Sequence, residues 1–173
     1  MAKYETKIGE INIDNDKVLK FEFGLPGFDD LTKFSLITPE ETKPIMWLVS
    51  LEDKEVAFPV IHPEMIRYDY HIDVPSDIVD YLQIEKSDQA ITLSILSIPE
   101  DQSKITANLV APIIISTINN KGIQYMVESE EYSTRHYIKD EMKRNEKLLK
   151  DKEGDWFAYF IKKNWRRYCH KNG

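Results

Sequence analysis

Short apolar runs bounded by turn residues follow one another through the first three-quarters of the chain, and most are too short for anything but strands. Ile8, Ile11 and Ile13 precede an Asn15-Asp16 turn, and Val18, Leu19, Phe21 and Phe23 follow it, which predicts an opening hairpin. Leu25-Pro26-Gly27-Phe28 then breaks the ladder. Proline fixes φ at the second position of a type II turn and glycine takes the positive φ at the third, so that turn is expected here. Further runs over 34–37, 45–51 and 56–61 predict strands, and 90–98 alternates like a half-buried one. The stretch 105–118 is too apolar for an exposed strand and is expected to cross the core with a bend at Pro112. Asn119-Asn120-Lys121-Gly122 reads as a turn into Ile123, Tyr125 and Val127, the expected last strand of the body. One short helix is predicted where Ser76 and Asp77 precede Ile78, Val79, Tyr81 and Leu82 at three- and four-residue spacing. No β-α-β rhythm appears. The expected fold class is therefore all-β and mainly antiparallel, a small β-barrel-like domain with one short helix.

The pattern changes after Glu131. Residues 139–153 are mostly charged, with Met142, Leu148 and Leu149 the apolar exceptions, and read as a solvated helix or a linker. Beyond Gly154, Asp155 can cap a helix carrying Phe157, Phe160, Ile161, Trp165 and Tyr168 on one side and Lys162, Lys163, Arg166 and Arg167 on the other. Such a helix packs on its own protein, docks on a partner or a second protomer, lies on an anionic membrane or contacts nucleic acid. The expected organisation is a body over residues 1–137 and a C-terminal helical extension over 138–173. Truncation at Gly154 is expected to leave the body folded.

Length and charge narrow the picture. The chain has 173 residues, 42% of them apolar, enough to bury one good core. No run approaches the roughly 20 apolar residues of a membrane span, and Met1-Ala2-Lys3-Tyr4-Glu5 does not begin a signal peptide. A soluble, cytoplasmic protein without stable membrane association is expected. The net charge of −7 hides an asymmetry. Residues 1–135 carry 12 Lys+Arg against 24 Asp+Glu, net −12, whereas 136–173 carry 11 against 6, net +5. An acidic body repels phosphate backbones and attracts basic proteins, so direct nucleic-acid binding is not expected of it.

Motifs for catalysis are missing from this pattern. The lone Cys169 forms no internal disulfide, and His62, His71, His136 and His170 show no spacing that pairs two imidazoles on one helix face. Neither a glycine-rich phosphate loop nor a Gly-x-Ser-x-Gly turn occurs, so no cofactor and no catalytic residue is expected. Carboxylate pairs such as Asp69 and Asp73 arise by chance among 24 acids. The chain reads as a binding protein. The alternative is a small β-barrel ligand binder or enzyme whose pocket the sequence does not reveal.

Several segments in order resemble a known family. These are Phe23-Gly24-Leu25-Pro26-Gly27-Phe28, Met46-Trp47-Leu48-Val49-Ser50-Leu51-Glu52-Asp53, Ala57-Phe58-Pro59-Val60, Pro63 and Tyr68, Asn108-Leu109-Val110-Ala111-Pro112-Ile113, and Tyr132-Ser133-Thr134-Arg135-His136. Over about residues 5–137 their order and spacing resemble the FliW flagellar assembly factors. The resemblance implies a cytoplasmic, non-enzymatic regulator that binds flagellin and the RNA-binding translational repressor CsrA. Holding CsrA would relieve repression of flagellin messenger translation and couple flagellin synthesis to secretion.

Read for their own chemistry, the motif residues offer alternatives. Phe28, after the Pro-Gly turn, is a core plug or a partner anchor; Trp47 and Phe58 are expected in the core. Asn108 heads the most apolar segment and should either hydrogen-bond backbone or form part of a binding surface. The loop acids Glu52, Asp53 and Glu55, and Glu128, Glu130 and Glu131, are solvated or meet a basic partner. Phe28, Asn108 and the six loop acids are taken as candidate partner-binding residues.

Overall fold

A computed structural model describes residues 1–150; the expected amphipathic helix beyond Asp155, with Cys169 and His170, lies outside the described residues. Short strands follow from short apolar runs: β1 (Ala2–Thr6), β2 (Gly9–Ile13), β3 (Leu19–Lys20), β4 (Lys33–Ile37), β5 (Met46–Ser50), β6 (Ala57–Ile61), β7 (Ala90–Ser97), β8 (Thr106–Ala107), β9 (Ile113–Ser116), β10 (Gly122–Gln124) and β11 (His136–Tyr137). Helix α1 spans Ser76–Leu82 and α2 spans Ile138–Leu149. The fold is all-β and mainly antiparallel with a short helix and a C-terminal helix, as the pattern predicts.

The main sheet runs in the order β10-β9-β7-β6-β5-β4-β3. Strand β7 is its branch point: residues 90–93 pair with β9, Ser94 and Ile95 with β6, and Leu96 and Ser97 with β8, which in turn pairs with β11. The two end strands approach each other. A single parallel bridge between Lys20 and Lys121, with the Lys20 amide donating to the Asn120 carbonyl at 2.8 Å, joins them. No continuous ladder closes the sheet as a full barrel.

Both faces of the sheet are covered. Leu48, Val60 and Leu93 enter one core with Phe21, Phe34 and Ile113, whereas Ile61 and Leu96 enter a second with Ile66, Ile105, Leu109 and Ile138. Adjacent residues such as Val60 and Ile61 thus fill different cores, because side chains alternate across a strand. That is why β5 and β9 read as continuous apolar runs rather than as alternation. Burial of 105–118 is nearly complete up to the bend, and Ile113–Ser116 is buried throughout.

Several local expectations need correction. The opening hairpin is β1 with β2, turning at Lys7-Ile8, with Ala2 opposite Ile13; Asn15–Lys17 is a 3-10 turn and β3 pairs forward with β4. The alternation around residue 15 is the same for either pairing, and the turn that wins carries Gly9 at φ +112°, a conformation glycine adopts readily. Strand β10 is not the last, since β11 follows it. Residues 139–149 form neither a linker nor a fully solvated helix, because Ile138, Glu141, Asn145 and Leu149 of α2 are buried. Trp47 and Phe58 are half-buried rather than core residues, Phe58 lying at the margin of the first core.

The Pro-Gly turn forms as expected. Gly27 takes φ +84° and the Phe28 amide donates to the Leu25 carbonyl at 2.7 Å. Gly24 is fixed for two reasons: it takes φ +62°, and a Cβ there would collide with the Phe28 carbonyl oxygen.

Candidate functional site

The first acidic loop follows β5. Ser50, fully buried, turns the chain by accepting hydrogen bonds on Oγ from the amides of Glu52 (3.1 Å) and Asp53 (3.0 Å). Asp53 Oδ1 then accepts from the Glu55 amide at 2.9 Å, an Asx turn. Glu52 reaches across to the start of β4, where its Oε2 accepts from the amides of Thr32 (2.6 Å) and Lys33 (2.9 Å). Two carboxylates of this loop therefore hold backbone. Glu55 is exposed, beside Lys54, whose ammonium lies 3.6 Å from Glu5 of β1.

The second acidic loop lies between β10 and β11, and its members differ in the same way. Glu128 and Glu130 are exposed and their carboxylates have no partner among the described residues. Glu131 accepts from Arg67 Nη2 at 2.9 Å. Arg67 is only 7% exposed, and its charge is met from several sides: Asp69 at 3.6 Å, Glu141 of α2 at 3.7 Å, and the face of Tyr132, 5.1 Å from the guanidinium carbon. A buried guanidinium requires such partners.

Helix α2 is fastened to this cluster. Arg144 grips Asp69 through two bonds of 2.8 and 2.7 Å, and this pairing holds the Asp69 carboxyl below its ordinary value. Asn145, buried, donates to the Ile66 carbonyl and accepts from the Tyr68 amide. His136 Nδ1 lies 2.8 Å from Glu141 Oε1, while its Nε2 accepts from the Ser133 amide at 2.9 Å. Accepting at Nε2 places the ring proton on Nδ1, so the neutral imidazole donates to Glu141.

The remaining candidates are separate from these loops. Phe28 is 37% exposed and meets Phe58 edge to face with ring centres 5.2 Å apart, so it is neither a core plug nor fully free. Asn108 is half-buried; its Oδ1 accepts from the Ala111 amide at 3.0 Å, which holds the bend before Pro112. The backbone hydrogen bond expected of it is formed.

Two cavities flank residues 71–75. One of about 630 Å³ is lined by Asp69, Asp73, Glu128, Glu131, Tyr125 and Tyr132 among others. The other, about 570 Å³, is more apolar, with Ile72, Val74, Val79, Ile84, Ile91 and Ile114. The pair Asp69 and Asp73 share the first cavity, but Asp69 is committed to Arg144 and Asp73 is fully solvated. Sequence reasoning missed Arg67, Glu141, Arg144 and Asn145. The available signal was an arginine inside Met65-Ile66-Arg67-Tyr68, and a Glu141/Asn145 pair at i, i+4 in a stretch that otherwise reads as solvated.

The fold is that of a flagellar assembly factor: a solved structure described as the crystal structure of the flagellar assembly factor FliW superposes with a TM-score of 0.75 at 30% identity, covering 79% of this chain and 96% of that one. Curated relatives named flagellar assembly factor FliW include that of Thermotoga maritima, 42% identical over 147 residues covering 84% of this chain and 99% of the relative. Those of Pseudothermotoga lettingae (43% over 148 residues, 85% and 94%) and Caldicellulosiruptor saccharolyticus (38% over 137 residues, 79% and 90%) are similar too. The family model described as FliW protein matches residues 3–138, and the chain belongs to the FliW family of flagellar assembly factors. Among the described residues no helix is long and apolar enough to cross a membrane.

Proposed function

We propose that the protein is a cytoplasmic, non-enzymatic regulator that binds flagellin and the translational repressor CsrA. Holding CsrA relieves repression of flagellin messenger translation, and flagellin competes for the same regulator, so that synthesis follows secretion. Membership of the flagellar assembly factor family over residues 3–138 carries this reading.

The surface is consistent with it. Glu55, Glu128 and Glu130 are exposed and their carboxylates are free of partners among the described residues, so they extend a negative field toward a basic protein and away from RNA. In this reading they steer the encounter. Glu52, Asp53 and Glu131 contribute what their intramolecular bonds leave over, Phe28 offers apolar area, and Asn108 keeps its Nδ2 for a partner. The decisive experiment is capture of purified flagellin and of CsrA by the full chain, each alone and then in competition. Stoichiometric complexes with both are expected; failure to bind either removes the assignment. Replacing Glu128 and Glu130 by lysine is expected to slow CsrA association in a salt-dependent manner, and unchanged stopped-flow rates would show that these acids do not steer it.

A further inference from the structure

Residues 71–75 run between the two cavities, and His71, Ile72 and Val74 line both. The segment lies outside every strand and helix. Among the described residues no backbone group of Ile72, Asp73 or Val74 makes a hydrogen bond. At the far end Pro75 is tied into the first turn of α1, its carbonyl accepting from the amides of Ile78 and Val79. The near end is held by one side chain. The Tyr132 hydroxyl accepts from the His71 amide and donates to the His71 carbonyl, both at 3.1 Å. Ile72 rests at the margin of the second core.

We propose that residues 71–75 are a strap latched by the Tyr132 hydroxyl, and that its release joins the two cavities into one continuous trough. Few hydrogen bonds and a half-buried apolar contact place such a segment among those that open well before global unfolding. Tyr132 itself is firmly seated: its ring lies 4.8 Å from that of Tyr70 and under the Arg67 guanidinium. Through Arg67 the latch shares its support with Glu141 of α2, so the position of α2 and the state of the strap are coupled. The device requires none of the partners proposed above and stands or falls separately from them.

The test is Tyr132→Phe in the full chain, which removes the hydroxyl and keeps the ring. Loss of two modest hydrogen bonds is expected to raise the open population about tenfold. In methyl-labelled protein the Ile72 and Val74 signals should then shift and broaden, with Ile78 of α1 and Leu93 of the first core unchanged. Nile red, as a neutral apolar probe of the joined trough, should gain fluorescence at temperatures well below the melting transition. Tyr70→Phe, which removes a neighbouring hydroxyl bonded to the Leu109 carbonyl instead, should leave the strap methyls as in wild type. Strap methyls that do not respond to Tyr132→Phe, or Leu93 responding equally, would overturn the latch. An unchanged Nile red signal would overturn the joining of the cavities.

Discussion

The two acidic loops look alike in sequence, three carboxylates each within four positions, yet they are built into the molecule differently. After β5, Glu52 and Asp53 are bound to backbone amides at an exposed turn, so their negative charge still faces solvent. Before β11, Glu131 is paired with a buried arginine that also answers to Glu141 of α2, while the carboxylates of Glu128 and Glu130 have no partner among the described residues. The lesson is that acidity at a loop is not one property. A carboxylate can fasten backbone, neutralise a buried cation or project a field, and only its neighbours decide which.

This contrast can be broken by substitution, and the largest effect is expected at its buried end. Arg67→Ala leaves Glu141 buried without a cation and removes the stacking on Tyr132; a loss of about 3 kcal/mol is expected in denaturant unfolding, with α2 detaching first by hydrogen exchange. A loss below about 1 kcal/mol would show that Glu141 finds other partners. Next comes Glu52→Ala, which frees two exposed amides and should cost about 1 kcal/mol, because water replaces much of what the carboxylate gave.

The pH dependence sharpens the same comparison. Arg144 holds the Asp69 carboxyl below its ordinary value of 3.8, so the pair contributes stability above that value and loses it as the pH falls through the lowered one. Asp69→Asn lacks this contribution at every pH. Its melting temperature should lie below wild type at neutral pH, and the gap should narrow below about pH 4. A constant gap would mean the bonds rather than the charge matter. The smallest effect is expected at the rim. Glu131→Gln should cost under about 0.5 kcal/mol despite a 2.9 Å contact, because that carboxylate is largely solvated, and Glu128→Gln should be neutral in thermal melts.

Much of the architecture was legible along the chain. Strand positions from β4 to β10, α1 and the Gly27 turn follow from local patterns, because short β-prone runs between Pro, Gly and Asn have few other ways to satisfy their backbone. The first hairpin was not legible, since the runs before and after residue 15 pair equally well in sequence and the Gly9 turn and the distant β4 decide between them. Trp47 and Phe58 are shallower than their sequence context implies for a related reason: an aromatic residue in an apolar strand does not announce how far along the sheet the cover extends.

The sequence by itself determined the all-β class, the acidic character of residues 1–135 and, through the order of its motifs, the family. Each of these depends on local period, composition or spacing, which survive without knowledge of distant contacts. Tertiary structure alone decided which acids are spent and which are free, that α2 packs through Glu141 and Asn145, and that Tyr132 reaches His71. These rest on pairs such as Arg67 with Glu141 and Asp69 with Arg144, about 75 positions apart. Nothing local in a charged residue encodes the partner that folding brings to it.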